Sequence, residues 1–150
     1  MEEIKTCYEL FGIECGKGWY PLIKPIIDYI EEYNKNNDNK IEILQIKEKF
    51  GGLRIYTNFH TDELYDMINH AENESYHVCE ICGSREDIGQ TQGWITTICR
   101  SCIIEASKKD TYFYPQQWYS YNDNKVYCIE KYQANSDNLI KIFNNLKNGD

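Results

Sequence analysis

Apolar residues recur every three or four positions between residues 21 and 33, at Leu22, Ile23, Ile26, Ile27, Ile30 and Tyr33. This spacing predicts an amphipathic helix over residues 21–33. Pro25 falls near enough to the start to be tolerated, unless the first turn begins at that residue. The polar residues 34–39 that follow are expected to form a loop.

Residues 41–50 and 53–59 are predicted to be two strands joined by Gly51-Gly52. A two-residue Gly-Gly connection favours a tight turn with positive φ at both glycines. The register then pairs Phe50 with Leu53, Lys49 with Arg54, Glu48 with Ile55, Lys47 with Tyr56 and Ile46 with Thr57. The face expected to belong to the core carries Leu44, Ile46, Phe50, Leu53, Ile55 and Phe59. Glu48 is the exception on that face. It either reaches water at the rim or is a buried carboxylate that needs a partner, and a buried carboxylate is a functional candidate.

The opposite face of the hairpin gathers three cations and an aromatic ring: Lys47, Lys49, Arg54 and Tyr56. Such a surface can contact phosphates, stack on a nucleotide base or meet an acidic partner. An ordinary solvated sheet face, on which lysines discourage edge pairing, produces the same pattern. Arg54 is the first residue to mutate, because its guanidinium can bind an anion through two hydrogen bonds.

Thr61 is a predicted N-cap, since Asp62 and Glu63 follow it where the helix dipole favours negative charge. The face of this second helix carries Leu64, Ile68, Ala71, Ser75 and Val78. Further along, residues 89–93 are expected to form a turn and residues 94–98 a strand. Residues 122–125 predict a hairpin turn between strands 118–121 and 126–129. A terminal helix capped by Ser136 is expected to carry Leu139, Ile140, Phe143 and Leu146.

Cysteines occur as two spaced pairs, Cys79-x2-Cys82 and Cys99-x2-Cys102, separated by sixteen residues. Two thiolates three positions apart converge on one ion from a tight turn, and two such pairs complete a tetrahedron. Four unrelated free thiols are the other interpretation, but paired spacing rarely arises by chance. We therefore predict a Zn²⁺ ion bound by these four residues. Four thiolates leave no open coordination position, so the ion is expected to be structural.

The residues around the pairs indicate the type of zinc finger. Residues 103–109, after the second pair, have helical character. A turn carrying one pair, a hairpin, and a helix whose first turn carries the second pair together make a treble clef. A zinc ribbon, with a strand after the second pair, is the alternative. The zinc-finger part is expected to span residues 79–109.

Composition limits the class of protein. A chain of 150 residues with 41% hydrophobic content suits one domain over residues 1–150. It has no apolar run of membrane-spanning length and no secretion signal, so we expect a cytoplasmic protein. Seven cysteines in that compartment indicate metal binding or free thiols rather than disulfides. The net charge of −8 opposes general nucleic-acid binding, which depends on phosphate contacts.

Three other patterns offer weaker chemistry. Gly12-x3-Gly16-Lys17-Gly18 is one residue short of a phosphate loop and lacks its Ser or Thr, so the glycines are expected to shape the turn into Trp19. The histidines His60, His70 and His77 have no metal or catalytic spacing. The aromatic set Tyr112, Phe113, Tyr114, Trp118, Tyr119, Tyr121 and Tyr127 either lines a ligand surface or packs across strands, and packing is the commoner use.

Several stretches together carry a family resemblance. They are Phe11-Gly12-Ile13-Glu14-Cys15-Gly16 with Gly18-Trp19, Lys47-Glu48-Lys49-Phe50-Gly51-Gly52-Leu53-Arg54, Cys79-x2-Cys82-Gly83, and Gly93-Trp94-Ile95 before Cys99. Over roughly residues 10–102 the chain is similar to a family of small uncharacterised proteins encoded by bacteriophages and prophages. The family has no assigned activity. The resemblance therefore implies only a setting, in which phage accessory proteins bind a host protein, a host defence component or a nucleotide signal.

These observations predict one small α+β domain, with a β-hairpin, flanking helices and an inserted four-cysteine zinc finger of the treble-clef or zinc-ribbon type. The favoured function is non-catalytic binding of a host or phage protein in the bacterial cytoplasm, with counter-defence as one such role. Recognition of nucleic acid or a small nucleotide through the cationic hairpin face is the alternative. An enzyme of unassigned type comes third, because no nucleophile with an identifiable base is evident.

Overall fold

The computed structural model describes residues 12–133 and 139–141, in which helices and antiparallel strands form an α+β fold. The helices are α1 (Tyr20–Asn36), α2 (Asp62–Ser75) and α3 (Arg100–Lys109), and a 3₁₀ turn (Lys17–Trp19) precedes α1. The strands are β1 (Ile43–Lys49), β2 (Gly52–Thr57), β3 (Ile88–Thr91), β4 (Thr97–Cys99), β5 (Gln116–Ser120), β6 (Lys125–Ile129) and β7 (Leu139–Lys141). Strands β1 and β2 form a hairpin, and the other strands form a second sheet in the order β4-β3-β5-β6-β7.

Helices α1 and α2 pack with the hairpin, as their apolar spacing predicts. Helix α1 buries Ile23, Ile26, Ile27 and Ile30 and contains Pro25 within its length. Helix α2 begins where the cap predicts, because the Thr61 Oγ1 atom accepts a hydrogen bond of 3.0 Å from the Leu64 amide. The resulting core holds aliphatic side chains from both helices and both strands.

The predicted hairpin turn is wrong by one residue. Positive φ occurs at Phe50 (53°) and Gly51 (81°), and Gly52 is the first residue of β2. The observed pairs are Ile46–Ile55, Lys47–Arg54, Glu48–Leu53 and Lys49–Gly52. Gly52 is needed as a strand residue without a side chain, because a Cβ there would lie 2.4 Å from the ring of Tyr76. This contact joins positions far apart in sequence, so the local Gly-Gly pattern does not reveal it.

The register also changes the predicted core face. Ile46, Leu53 and Ile55 are buried as expected, whereas Phe50 is 69% exposed and Leu44 is 56% exposed. Phe50 has moved into the turn. Leu44 turns outward because the register shifts between Ile43 and Gln45, which puts Ile43 into the core instead.

Three further expectations fail in the second sheet. Gly89, expected in a turn, lies in β3, where a Cβ would lie 2.2 Å from the backbone oxygen of Tyr119. The strand expected over residues 94–98 shortens to β4, Thr97–Cys99. Residues 139–141 form β7 beside β6 and not a helix, because they complete the edge of the sheet. Ser136, Phe143 and Leu146 lie outside the described residues. The hairpin between β5 and β6 is confirmed.

A second core lies between the five-stranded sheet and α3. It contains Cys79, Ile88, Ile98, Cys99, Ile103, Phe113, Trp118 and Ile129. Two of the aromatic residues thus pack as predicted, but Tyr112 and Tyr114 are 80% and 78% exposed. In the part of the chain described here, no helix is long and apolar enough to cross a membrane.

Candidate metal centre and adjoining surface

Four cysteine side chains meet where α2, β4 and α3 come together. Cys79 and Cys82 follow α2, Cys99 ends β4, and Cys102 lies in the first turn of α3. Their Sγ atoms all lie within 4.8 Å of one another, and those of Cys82 and Cys99 are 3.7 Å apart. A tetrahedral ion with metal–sulfur bonds of about 2.3 Å requires sulfur atoms about 3.8 Å apart. The cluster could therefore hold a metal ion with little rearrangement.

The backbone builds the first pair as a tight turn. The Gly83 amide donates to the Cys79 oxygen at 2.9 Å, and the Cys79 amide donates to the Ser84 oxygen at 2.8 Å. Gly83 has a φ of 84°, a conformation that disfavours any residue with a side chain. The second pair is held differently, because Cys99 is the N-cap of α3 and Cys102 is one turn into that helix. A helix and not a strand thus follows the second pair.

The four thiols differ in how readily they ionise. Burial raises the pKa of Cys99 to about 11 and also raises the pKa of Cys102. Cys82 is the exposed member of the cluster. Burial would raise its pKa too, but hydrogen bonds from the Ser84 amide and the neighbouring thiols outweigh this, so the pKa of Cys82 is lowered. Cys82 therefore ionises more readily than Cys99 or Cys102, and a metal ion would have to displace protons from those two thiols.

The glycine-rich segment before α1 is hydrogen-bonded to the backbone around the first cysteine pair. The Gly18 amide donates to the Glu80 oxygen at 2.8 Å, and the Trp19 Nε1 atom donates to the Val78 oxygen at 2.9 Å. A Cβ on Gly18 would lie 2.2 Å from the Cys79 oxygen. Gly16 and Gly18, two of the three glycines that resemble a phosphate loop, therefore permit close backbone contact with the turn that carries Cys79 and Cys82. Sequence reasoning assigned them to the turn into Trp19 and missed this contact.

Three half-buried side chains, those of Cys15, Glu48 and Glu80, lie close together beside this contact. The Glu80 carboxylate accepts a hydrogen bond of 2.9 Å from the Gly16 amide. Burial raises the pKa of Glu80, opposed by that hydrogen bond and assisted by the charge of Glu48. Burial, with the charges of the same two carboxylates, raises the pKa of the Cys15 thiol to about 12. Cys15 is therefore a protonated packing residue at neutral pH and not a reactive thiol.

Thr97 connects the cysteine cluster to the hairpin turn. Its Oγ1 atom donates to the Gly51 oxygen at 2.6 Å and accepts from Gln90 Nε2 at 3.0 Å. Its backbone oxygen accepts from the Glu80 amide at 3.0 Å, one residue after the first cysteine. A movement of the first cysteine pair would therefore reach the hairpin through one buried residue.

The four predicted binding residues lie on one face of the hairpin, where Lys47 pairs directly with Arg54, but their side chains make different contacts. Lys47 and Lys49 line a cleft of about 220 Å³. Arg54 instead donates to the Leu53 oxygen at 2.8 Å and to the Tyr76 hydroxyl at 3.0 Å, so its guanidinium is already engaged. Tyr56 is 41% exposed on the same side of the sheet as Arg54. The two lysines therefore line the cleft, whereas Arg54 contacts Tyr76 at the end of α2.

Trp94 forms the far wall of this cleft. The sequence did not identify it as a candidate binding residue. It is 83% exposed, and with Gly93 and Ile95 it faces Lys47, Lys49 and Phe50. On its other side, Trp94 borders a second cleft of about 560 Å³ that reaches Tyr114. The sequence pattern predicted a strand over residues 94–98, which would have buried one face of the segment. The paired threonines Thr91 and Thr96 around Gly93 were the signal for a closed loop instead.

The loop that carries Trp94 is closed by hydrogen bonds at its base. The Thr91 amide donates to the Thr96 oxygen at 3.0 Å, and the Thr96 amide donates to Thr91 Oγ1 at 2.8 Å. Thr91 Oγ1 donates in turn to the Trp94 oxygen at 2.6 Å, and Gly93 supplies a positive φ of 77°. Trp94 is thus displayed to solvent from a hydrogen-bonded turn.

The remaining candidate residues have structural positions. Glu48 is half-buried at the rim, and its carboxylate accepts from the Gly51 amide at 2.9 Å. His60, His70 and His77 are all exposed. Among the described residues, the four cysteines are the one cluster of three or more metal-ligating side chains.

Comparison of the chain with protein-family models, with curated proteins and with solved structures yields no match. Function is therefore inferred from the cysteine cluster and from the two clefts beside Trp94.

Proposed function

We propose that this chain is a non-catalytic binding protein. One structural Zn²⁺ on Cys79, Cys82, Cys99 and Cys102 holds its fold, and a protein partner docks on the surface around Trp94. The observation that carries the binding role is the display of Trp94, 83% exposed, on a hydrogen-bonded loop between two clefts. The zinc site supports that surface and takes no part in chemistry.

The donor set favours zinc over other ions. Four thiolates at tetrahedral separation are the donors that Zn²⁺ prefers in structural sites, and hard ions such as Mg²⁺ and Ca²⁺ prefer oxygen. One pair lies on a tight turn and the other at the start of α3, which supports the treble-clef type of zinc finger. The zinc ribbon requires a strand in the place of that helix. The ion would cross-link the end of α2 to β4 and α3.

The exposed aromatic surface supports a protein partner. Tryptophan is enriched among the residues that contribute most to protein–protein binding, and rigid display lowers the entropic cost of association. Phe50, 69% exposed, stands across the first cleft, and Tyr114, 78% exposed, borders the second. Exposed rings gathered at one place on an otherwise acidic chain are expected to be covered by a partner.

Affinity capture with a matched control tests the binding role. The zinc-loaded chain, a Trp94→Ala variant and a Tyr65→Ala variant would each be used to recover proteins from bacterial extract. Tyr65 is a suitable control because it is 50% exposed on α2, away from both clefts. We expect a protein that is recovered by wild type and by Tyr65→Ala, and lost with Trp94→Ala. Equal recovery by all three chains would contradict a partner at Trp94.

The family resemblance supports a phage-encoded accessory role in the bacterial cytoplasm. Its most specific segment, residues 47–54, includes the hairpin turn beside the first cleft. We propose that the partner is a host or phage protein, with counter-defence as one such role. Mass spectrometry of the protein retained by Trp94 would identify it, and a partner unrelated to phage growth or host defence would count against this setting.

Recognition of nucleic acid or a nucleotide is the second candidate. The observation that favours it is that Lys47 and Lys49 lie beside the exposed rings of Phe50 and Trp94, an arrangement that suits a stacked base and its phosphate. Binding of single strands should then weaken with salt, with a slope of about −0.7 per phosphate contact on logarithmic axes. A shallow salt dependence would favour the protein interface.

A further inference from the structure

We propose that the cleft between the hairpin turn and Trp94 binds an acidic segment of the protein partner. A carboxylate of that segment lies between Lys47 and Lys49, and a neighbouring apolar side chain packs against Phe50 and Trp94. This inference rests on the proposed role of Trp94 as a docking residue, and it adds the chemistry of the partner.

The first support is a local reversal of charge. The chain has 24 acidic and 16 basic residues, yet its cleft is lined by two lysines and one glutamate. The carboxylate of that glutamate, Glu48, already accepts a hydrogen bond from the Gly51 amide. Among the described residues, neither lysine forms an ion pair with a carboxylate. The rest of this acidic protein repels acidic ligands, whereas the two lysines attract them. Acidic ligands are therefore directed to this cleft.

The second support is the backbone of the hairpin turn. Phe50 adopts a φ of 53°, in the left-handed region where a bulky side chain is disfavoured. A turn with positive φ at both central residues normally takes Asn or Gly at this position, so a phenylalanine there carries strain. In this conformation the ring is exposed beside Trp94, with the Lys49 ammonium 5.8 Å from the ring centre. The turn therefore presents an apolar surface and a cation together.

The size of the cleft suits side chains of a peptide. Its volume of about 220 Å³ is below the roughly 300–1,000 Å³ of pockets that enclose small molecules. Gly93 and Trp94 line both this cleft and the second one, which is otherwise lined by Tyr114, Pro115 and uncharged polar residues. An extended segment that crosses Trp94 can thus place an acidic end at the lysines and an uncharged part at Tyr114.

The difference in charge between the two clefts favours an acidic protein segment over a single-stranded nucleic acid. A polynucleotide carries a phosphate at every step and would need cations on both sides of Trp94. The described lining of the second cleft contains none. Arg54, which is the strongest anion-binding group of the hairpin, is held by Tyr76 and the Leu53 oxygen.

Selection from a displayed library of random peptides tests the inference with the zinc-loaded chain. Enriched peptides would be synthesised, and their affinity measured by fluorescence polarisation for wild type, Trp94→Ala and a Lys47→Glu/Lys49→Glu double variant. The charge-matched control is Lys35→Glu/Lys109→Glu, since both lysines are exposed on helices away from the clefts. Zinc content and thermal unfolding would establish that each variant is folded.

We expect enriched peptides to combine acidic residues with an aromatic or aliphatic one. Their affinity should fall at least tenfold with Trp94→Ala and with the double charge reversal, and less than threefold with the control. Trp94-dependent peptides without acidic residues, unaffected by the charge reversal, would overturn the inference and leave the proposed function standing. Failure to obtain any Trp94-dependent peptide would overturn the proposed function itself. An oligothymidine that binds more tightly than the selected peptides and competes with them would overturn the inference in favour of nucleic acid.

Discussion

The two regions of this molecule are stabilised in different ways. The helix–hairpin region, residues 12–78, has a core of aliphatic side chains from α1, β1, β2 and α2. The cysteine region, residues 79–133, has a smaller core in which Cys79 and Cys99 take the places of apolar residues. Full burial of one large aliphatic side chain contributes about 1.5–3 kcal/mol, so the first region gains much of its stability from packing. The second region replaces part of that burial with a site for a metal ion.

Two sets of contacts join the helix–hairpin region to the cysteine region. The backbone around Gly18 packs against the first cysteine pair, and Thr97 connects that pair to the hairpin turn. Both contacts end within two residues of one of the four clustered cysteines. We infer that a metal ion bound by these cysteines would order the cysteine region and, through these contacts, position Trp94 against the hairpin. Small cores commonly depend on a metal ion or disulfides in this way.

Removal of zinc should have the largest effect and should fall mainly on the cysteine region. Binding of structural zinc supplies on the order of 10 kcal/mol, which is comparable to the stability of a whole domain. Chelation, or Cys99→Ser, should therefore unfold the cysteine region first and make the protein prone to aggregation. Hydrogen exchange should show loss of protection in β3–β6 before loss in α1.

The control for this experiment is Cys128→Ser, which removes a half-buried thiol outside the cluster. It should leave zinc content and the exchange pattern close to those of wild type. A metal-free protein that stays folded and still binds its partner would show that the ion has another role. Uniform loss of protection in both regions would show instead that the two form one cooperative unit.

Acidification should weaken zinc binding and therefore destabilise the cysteine region first. Without metal, the pKa values of Cys99 and Cys102 are raised, so both thiols are protonated at pH 7. Zinc must displace these protons, so its apparent affinity falls as pH falls. With two protons displaced, the loss is about 100-fold per pH unit. Competition with a chromophoric chelator between pH 8 and pH 6 measures the slope, and a slope near zero would contradict thiolate coordination.

The cysteine cluster was predictable because its evidence is local. Each pair needs only a three-residue separation and a turn, and the structure brings all four Sγ atoms together. The Thr61 cap of α2 and the hairpin between β5 and β6 were predictable for the same reason, since each depends on neighbouring residues. The amphipathic spacing of α1 likewise identified its buried face.

The errors occur where a distant contact decides the local conformation. The ring of Tyr76 requires glycine at position 52, so the turn moves to Phe50-Gly51. Residues 139–141 pair with β6, which overrides their helical spacing. The exposure of Trp94 depends on the Thr91–Thr96 closure, which the apolar pattern of the segment does not reveal. The contacts at Gly52 and Thr91 also shape the surface beside Trp94, which is why that surface was harder to predict than the cysteine cluster.

Ile30→Ala should test the packing of the helix–hairpin region. Ile30 is 1% exposed on α1 within the aliphatic core. Removal of its side chain beyond Cβ leaves a cavity and should lower the free energy of unfolding by about 2–5 kcal/mol. Urea denaturation would measure the loss, and zinc affinity should change little. A large fall in zinc affinity would show that the two regions are not separable.

Gly18→Ala should act on the contact between the regions. The added methyl group would lie 2.2 Å from the Cys79 oxygen and 2.6 Å from the Gly83 nitrogen, so the backbone must shift. Such overpacking costs about 1–3 kcal/mol. Because the shift falls on the turn that carries Cys79 and Cys82, zinc affinity should fall as well. Ser101→Ala, at an exposed position in α3, is the control and should change neither quantity.

Thr97→Val should have the smallest effect and should separate the second contact from the first. Valine has nearly the same shape, but it leaves the buried Gly51 oxygen without its donor and Gln90 Nε2 without its acceptor. An unsatisfied buried group costs about 1–3 kcal/mol, and we expect a loss near 1 kcal/mol because the turn can shift on the side of the exposed Phe50. Urea denaturation measures the loss, with Thr111→Val as the exposed control.

Because the Thr97 backbone oxygen still accepts from the Glu80 amide, zinc affinity should stay unchanged in Thr97→Val. Binding at Trp94 should nevertheless weaken, since the hairpin turn is no longer held beside its loop. Unchanged partner binding in a measurably destabilised variant would show that Thr97 supports the fold alone.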